Sequence, residues 1–403
     1  MILRKWEVRP LDKERAAAFA QTYGVPFFLA MLMNIRGLDD AAHLREFLGE
    51  GEPLSDPFLL KDMDKAAARI TRAVDNMEKI AVYGDYDADG VTSTAMLYSY
   101  LETRGADVIF YIPQREGEGY GMNIGAVEYL KEQGVTLIVT VDNGISSVQE
   151  VARANELGID VVVTDHHRPQ EILPDAVAVV DAYRPDDTSP YKHFSGVGIA
   201  FKLLMALEDG AGDVEDLLEA YSDLAAIGTI GDIVPLTGDV AFATVGDVMP
   251  LTGENRTLIR AGLERLSQSD RPGVQALLEN AGIAGKALTS TNVAFTLVPR
   301  INATGRMGAP ERAVRLLISG YEEEAEVLSE EICADNEERR RVEAEIAEAA
   351  FADIEAKGYM KDRVVVVDGE NWHHGVIGIV ASRVTERCGK PCMIISRGET
   401  EAK

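Results

Sequence analysis

Asp85, Asp87 and Asp89 occupy alternate positions in KIAVYGDYDADGVTST (79–94), and Gly90 follows at once. Carboxylates this close repel one another unless a cation or protons intervene, so the spacing points to metal chemistry. A calcium loop opens with the same D-x-D-x-D-G pattern. It also follows a helix and needs a bidentate glutamate at the position held here by Met96. Ile80, Ala81, Val82 and Tyr83 read instead as a buried strand, which excludes calcium. Two further groups lie downstream: Asp142-Asn143-Gly144 closes TLIVTVDNG, and Asp165-His166-His167 closes DVVVTDHH.

The elements that must position these residues alternate. Apolar runs at 79–84, 107–113, 136–142, 160–165 and 176–183 read as strands, and helical stretches such as TSTAMLYSYLETRG and SVQEVARANELG separate most of them. Short β-rich runs alternating with helices imply a parallel sheet covered on both faces. In such a sheet the carboxyl ends of neighbouring strands line one crevice, where ligands bind. Three acidic or histidine clusters at three strand ends therefore converge. Taken singly, an Asp-rich turn is a solvated loop, a DNG is a turn, and a histidine pair packs or caps. Their recurrence at successive strand ends is what singles them out. Carboxylates suit Mg²⁺ and Mn²⁺, and imidazole shifts the preference toward Mn²⁺. So many anionic ligands are enough for two divalent ions about 3.5–4 Å apart.

The chain has 403 residues, enough for two or three domains, with 46% hydrophobic and 27% charged residues. Its net charge of -27 argues against a basic, salt-driven nucleic-acid binder, though not against an enzyme that grips phosphates through metals and a few arginines. No apolar run approaches the roughly 20 residues that span a bilayer, and the N-terminus lacks a signal-peptide core. Cys333, Cys388 and Cys392 make no disulfide framework, so the expected setting is cytoplasmic. Residues 1–75 read as a helical segment packed on the first domain, and 196–320 as a mostly helical region completing a 76–320 domain. A long exposed helix, 321–358, connects it to a strand–helix–strand run at 359–403. That second α/β unit breaks off after about 40 residues, so the chain reads as cut.

Five motifs in this order, DYDADG, VDNG, DHH, IGDIVPL and PRINATGRMG, resemble those of the DHH phosphoesterases. Among these the chain is most similar to the bacterial exonucleases that degrade single-stranded DNA from the 5′ end. The resemblance covers essentially the whole chain and implies an α/β fold: a parallel-sheet DHH domain, a connecting helix and the start of a DHHA1-like domain. It implies phosphodiester hydrolysis assisted by two divalent cations, Mn²⁺ first and Mg²⁺ as the alternative, in DNA repair and recombination. The implied metal ligands are Asp87, Asp89, Asp142, His166, His167 and the aspartate of a GD motif, with Asp85 and Asp165 behind them, orienting the ligands. Some relatives carry a histidine where this chain has Tyr83, which leaves one ligand fewer. Single-stranded DNA is the implied substrate; a single-strand-binding protein and a helicase are implied partners. Relatives of this kind continue with a glycine-rich Ser/Arg segment and an OB-like domain. The rival readings are an oligoribonuclease or pyrophosphatase of the same superfamily, and an inactive replication scaffold that has lost its ligands.

Arg115, in the glycine-rich PQREGEGYGM loop, is placed to hold a phosphate. Arg300, Asn302 and Arg306, around what reads as a small-residue turn, offer a fork for a nucleic-acid backbone. His373 and His374 of NWHHG read as packing or capping residues. The GD motif is duplicated: AIGTIGDIVPLTG (226–238) recurs as AFATVGDVMPLTG (241–253), so Asp232 and Asp247 compete for one ligand position. The apolar lead-in SDLAAIGTIGD reads as a buried helix ending at the site, and favours Asp232.

Overall fold

The computed structural model describes residues 9–48, 52–115, 117–208, 214–232, 251–398 and 402–403. Five strands, β1 (Ile80–Tyr83), β2 (Val108–Tyr111), β3 (Leu137–Val141), β4 (Asp160–Thr164) and β5 (Ala178–Val180), form one parallel sheet in the order β2-β1-β3-β4-β5. All of β1 and β3 is buried, which is why these runs are continuous in Val, Ile and Leu rather than alternating with polar residues. The period of two persists inside them. Ile80 and Val82 join the larger core beneath one face, while Ala81 and Tyr83 join the core on the other. Registers run Tyr83↔Thr140, Val141↔Thr164 and Thr164↔Val180, so β3, β4 and β5 end level. Asp142, Asp165 and Asp181 each come directly after one of those strands. The chain leaves β1 first toward β2 and then crosses back to β3, which puts the topological switch beside β1.

The larger core joins the sheet to the helices Ala88–Thr103, Gly196–Leu207 and Val214–Gly231. The last of these is buried from Tyr221 to Ile230 and delivers Asp232 to the crevice, as the lead-in residues suggested. A buried ion pair, Lys202 Nζ to Glu254 Oε2 at 2.7 Å, links the helices Gly196–Leu207 and Gly253–Leu266. Both partners also bond Ser55, which fastens the segment before the sheet to this core. A smaller cluster of Ala16, Phe19, Ala30 and Met33 holds the first helices together.

The helix Glu322–Lys357 belongs to two cores. Ala325, Leu328 and Ile332 pack in the main one; Ile346, Ala347, Ala350 and Ile354 pack against β6 (Val365–Glu370), β7 (Cys392–Arg397) and the helix His374–Cys388 between them. Glutamates fill its first turn, Lys357 its last, and Gly358 ends it at φ 70°, each favouring the local dipole or the left-handed cap. Among the described residues no helix is long and apolar enough to cross a membrane.

Candidate metal centre

His166 stands at the middle of the crevice, buried, at the end of β4. Its Nε2 lies 3.0 Å from Asp142 Oδ1 and 3.7 Å from Asp89 Oδ2, and its Nδ1 lies 3.9 Å from Asp232 Oδ2. Ligand atoms of Asp89, His166 and Asp232 all fall within 4.8 Å of one another, and so do those of Asp142, His166 and His167. The structure therefore brings five of the expected ligands into two groups that share one histidine. Asp87 belongs to neither group. It caps the helix Ala88–Thr103, its Oδ1 accepting from the amides of Asp89 and Gly90 at 3.0 Å. That helix begins at Ala88, so Asp89 and Gly90 lie in its first turn rather than in a loop before it. Asp247 lies outside the described residues.

The electrostatics are those of a site built around positive charge. Burial, then repulsion from Asp87, pushes the carboxyls of Asp85 and Asp89 up; Asp142 is pushed up by burial and by Asp89 and Asp87. Among the described residues neither oxygen of Asp85 makes a hydrogen bond of good geometry, although the amides of Tyr86 and Gly121 approach it. Burying several carboxylates together without a counterion is costly, and a divalent cation removes both the repulsion and the desolvation penalty. The oxygen and imidazole donors fit a manganese-type ion.

Asp165 differs from its neighbours. Burial opposes its ionisation, yet hydrogen bonds from His167, together with the His167 and His166 charges, hold its carboxyl below the usual range. Its Oδ1 receives the amides of His166 and His167 and stands 2.7 Å from His167 Nδ1, while Oδ2 receives the amide of Ile145. This fixes the DHH turn and aims His167 Nε2 away from Asp165.

Asp142 adopts φ 61°, a left-handed conformation rarely used by residues other than glycine. Asn143 holds it there, its amide donating to Tyr83 O at 3.2 Å and Val141 O at 2.9 Å. DNG is thus more than a turn: the Asn ties the ends of β1 and β3. Tyr83 itself points away from the ligands. Its hydroxyl donates to Gly121 O at 3.1 Å, and its ring stacks 5.1 Å from Tyr111.

The helix Gly196–Leu207 supplies a contact that the sequence reading missed. The amides of Gly196 and Val197 donate to the two oxygens of Asp89 at 2.6 and 2.8 Å, the use of a helix N-terminus to hold an anion. A Cβ on Gly196 would fall 2.5 Å from that of Asp142, so only glycine fits between the two ligands. The available signal was Ser195-Gly-Val-Gly, a cap residue opening an apolar helix. Tyr120 was also missed: its hydroxyl lies 3.2 Å from Asp142 O and 3.1 Å from His167 Nε2.

PRINATGRMG is not a turn. It forms the helix Val298–Met307, ended by Gly308, because Val298, Ile301, Ala303 and Thr304 bury one side and Gly305 lets the backbone of Tyr86 approach. Asn302 Oδ1 accepts the amide of Ala88 at 2.7 Å and so braces the acidic loop. Arg300 turns back to Thr296 O in the helical turn Val293–Leu297 that precedes its helix. Arg306 is more promising for an anion. Burial, then Arg115 and Arg339 nearby, push its guanidinium down to about 10, and it donates to Gly375 O at 3.0 Å. Arg115 lies 5.2 Å over the ring of Tyr86, beside the carboxylates. His373 caps its helix, accepting the amide of Gly375 at 3.1 Å.

The model of the DHH family, N-terminal domain, matches residues 79–229. The chain is 41% identical to the single-stranded-DNA-specific exonuclease RecJ of Bacillus subtilis over 98% of its own length and 48% of that protein. It is 36% identical to the protein of the same name from Escherichia coli, over 91% of this chain and 63% of the relative. It thus spans about half to two thirds of these curated relatives. A crystal structure of exonuclease RecJ bound to manganese superposes with a TM-score of 0.73 at 36% identity, covering 87% of this chain and 83% of that one. RecJ of Thermus thermophilus in complex with Mn²⁺ gives 0.77 at 31% identity, over 98% and 54% of the two chains. Sequence identity over nearly the whole chain and the shared fold agree: the chain belongs to the DHH family, among its RecJ members.

Proposed function

We propose that this chain is a divalent-cation-dependent exonuclease that removes nucleotides from the 5′ end of single-stranded DNA, in repair and recombination. The observation that carries the reading is the pair of ligand groups sharing His166 at the ends of β1, β3 and β4. Asp87, Asp89, Asp142, His166, His167 and Asp232 would hold the cations, with the carboxylates shared between the sites and His166 serving one of them. Mn²⁺ is the first choice and Mg²⁺ the alternative, as RecJ of Thermus thermophilus has been solved with each. Two such ions supply charge against a scissile phosphodiester and lower the pKa of an attacking water.

The remaining work falls to the chain's own groups. Asp165 keeps His167 in one tautomer by taking its Nδ1–H, and the amides of Gly196 and Val197 fix Asp89, so the ligands are oriented before any ion arrives. Arg115 and Arg306 would bracket the phosphate, while Asn302 acts through the acidic loop it braces and Asp85 adds negative charge behind the ligands. Separate apolar clusters at the N-terminus, around the main sheet and around β6 and β7 fit three units, but Met63, Ile70, Ala325 and Leu328 pack in the main core, across the divisions expected at 75 and 320. A single strand would thread between the last two units, where a narrow passage would exclude duplex. The complete set of ligand types argues against an inactive scaffold.

The test is product release from single-stranded and duplex oligonucleotides of equal length, each blocked in turn at the 5′ or the 3′ end, in Mn²⁺. Loss of mononucleotides from free 5′ ends of single strands, abolished by EDTA, is expected. Equal degradation from 3′ ends, or of duplex, would overturn the reading.

A further inference from the structure

The motif DHHRPQ places Arg168 directly after His167, and the site described above makes no use of it. Arg168 is exposed, its guanidinium lies 5.0 Å over the ring of Tyr183, and it makes no ion pair among the described residues. Arg69, Arg153, Arg184 and Arg312, by contrast, are taken up by carboxylates. The stack is also anchored. Tyr183 Oη and His193 Nδ1 are 2.8 Å apart, and the amide of Tyr183 donates to Asp181 Oδ1 at 2.6 Å. Asp181 is fully buried at the end of β5, so Tyr183 is delivered by the sheet rather than by a loose loop.

Strand order then gives the stack its meaning. Arg115 and Tyr86 form one Arg–Tyr pair at the ends of β2 and β1, and Arg168 and Tyr183 form another at the ends of β4 and β5. The candidate ligands lie between, at β1, β3 and β4. Four strand spacings of about 4.8 Å separate β2 from β5, roughly 19 Å, so the two pairs stand on opposite flanks of the acidic floor. Each pair combines a cation for a phosphate with an aromatic face for a base, the combination that binds single strands without reading sequence.

Building on the exonuclease reading, we propose that Arg168 and Tyr183 form a second polynucleotide subsite, holding the phosphate and base of a nucleotide on the β5 side of the ligand cluster. Contact there grips the strand on both sides of the bond to be cut. Arg168 adds one phosphate contact and Tyr183 one stacking face.

Binding of a 3′-fluorescein single-stranded oligonucleotide to the full chain without divalent metal, followed by anisotropy across a salt series, tests this directly. In Arg168→Gln the affinity at low salt should fall about fivefold to tenfold, and the slope of log K against log[salt] should flatten by about 0.7, one phosphate's worth. Tyr183→Ala should weaken binding by a similar factor with its slope intact. In Mn²⁺ the Arg168→Gln loss should fall more on KM than on kcat, with the Mn²⁺ midpoint within about twofold of wild type. Unchanged affinity and slope in Arg168→Gln would overturn the subsite. A wild-type chain that binds single strands but shortens them from neither end would instead overturn the exonuclease reading, a failure the slope comparison keeps separate.

Discussion

Asp142 shows what the site costs the fold when no cation neutralises it. It sits at φ 61°, buried, and after burial four neighbouring carboxylates, Asp89, Asp87, Asp232 and Asp85, oppose its ionisation. Asp142→Asn removes one of those charges at nearly constant volume. In EDTA the variant should be more stable than wild type, because the repulsion among the buried carboxylates is relieved, while the stabilisation that Mn²⁺ gives wild type should largely vanish; calorimetric melting with and without Mn²⁺ checks both. Asp181 gives a pH dependence of definite sign. Burial, then the charge of Asp165, raises its carboxyl from 3.8 to about 8, and its Oδ2 has no hydrogen-bond partner among the described residues. Between those two values the folded state keeps a proton that the unfolded chain has lost, so this residue's contribution makes stability fall as pH rises from about 4 to about 8. Urea titrations of metal-free Asp181→Asn should show a shallower decline over that window and higher stability than wild type at pH 8. An unchanged pH slope would assign the dependence to other groups.

The buried pair of Lys202 and Glu254 does for the helices what hydrogen bonding does for the strands. Burial pushes the Lys202 ammonium down, Glu254 partly offsets this, and both bond Ser55. Removing one partner leaves the other charge buried and unpaired, so Lys202→Met should cost about 3–5 kcal/mol in urea unfolding, and Lys202→Met with Glu254→Leu should recover part of it. A single variant within about 1 kcal/mol of wild type would mean that water reaches the pair. The strands, the covered sheet and the ligand-bearing strand ends were legible because they depend on local pattern: continuous apolar runs, each closed by chemistry-bearing residues. The amides of Gly196 and Val197 were not, since a helix N-terminus reveals its anion only when the chain has folded it onto one 107 positions away. PRINATGRMG was misread for a related reason. Its small residues suggest a turn, but they serve a helix pressed against the backbone of Tyr86. Tyr120 carried no local signal, being one tyrosine in a glycine-rich loop.

At the scale of the molecule, the helix Glu322–Lys357 joins two cores, and the backbones of Arg306 and Gly375 meet between them. A Cβ at Gly375 would fall 2.4 Å from Arg306 O, so the second unit docks there through bare backbone. Gly375→Val should force the units apart: proteolysis within the long helix should accelerate, and affinity for single strands should drop about tenfold, while melting of the main core shifts little. Unaltered proteolysis and binding would show that the docking does not shape the path of the strand. The account rests most heavily on His166, the one residue common to both ligand groups. Isothermal titration with Mn²⁺ into the full chain, wild type against His166→Ala, addresses that claim directly. Two ions per chain are expected for wild type and at most one tightly bound ion for the variant, which should keep its fold. Two tightly bound ions in His166→Ala, or none in wild type, would contradict it.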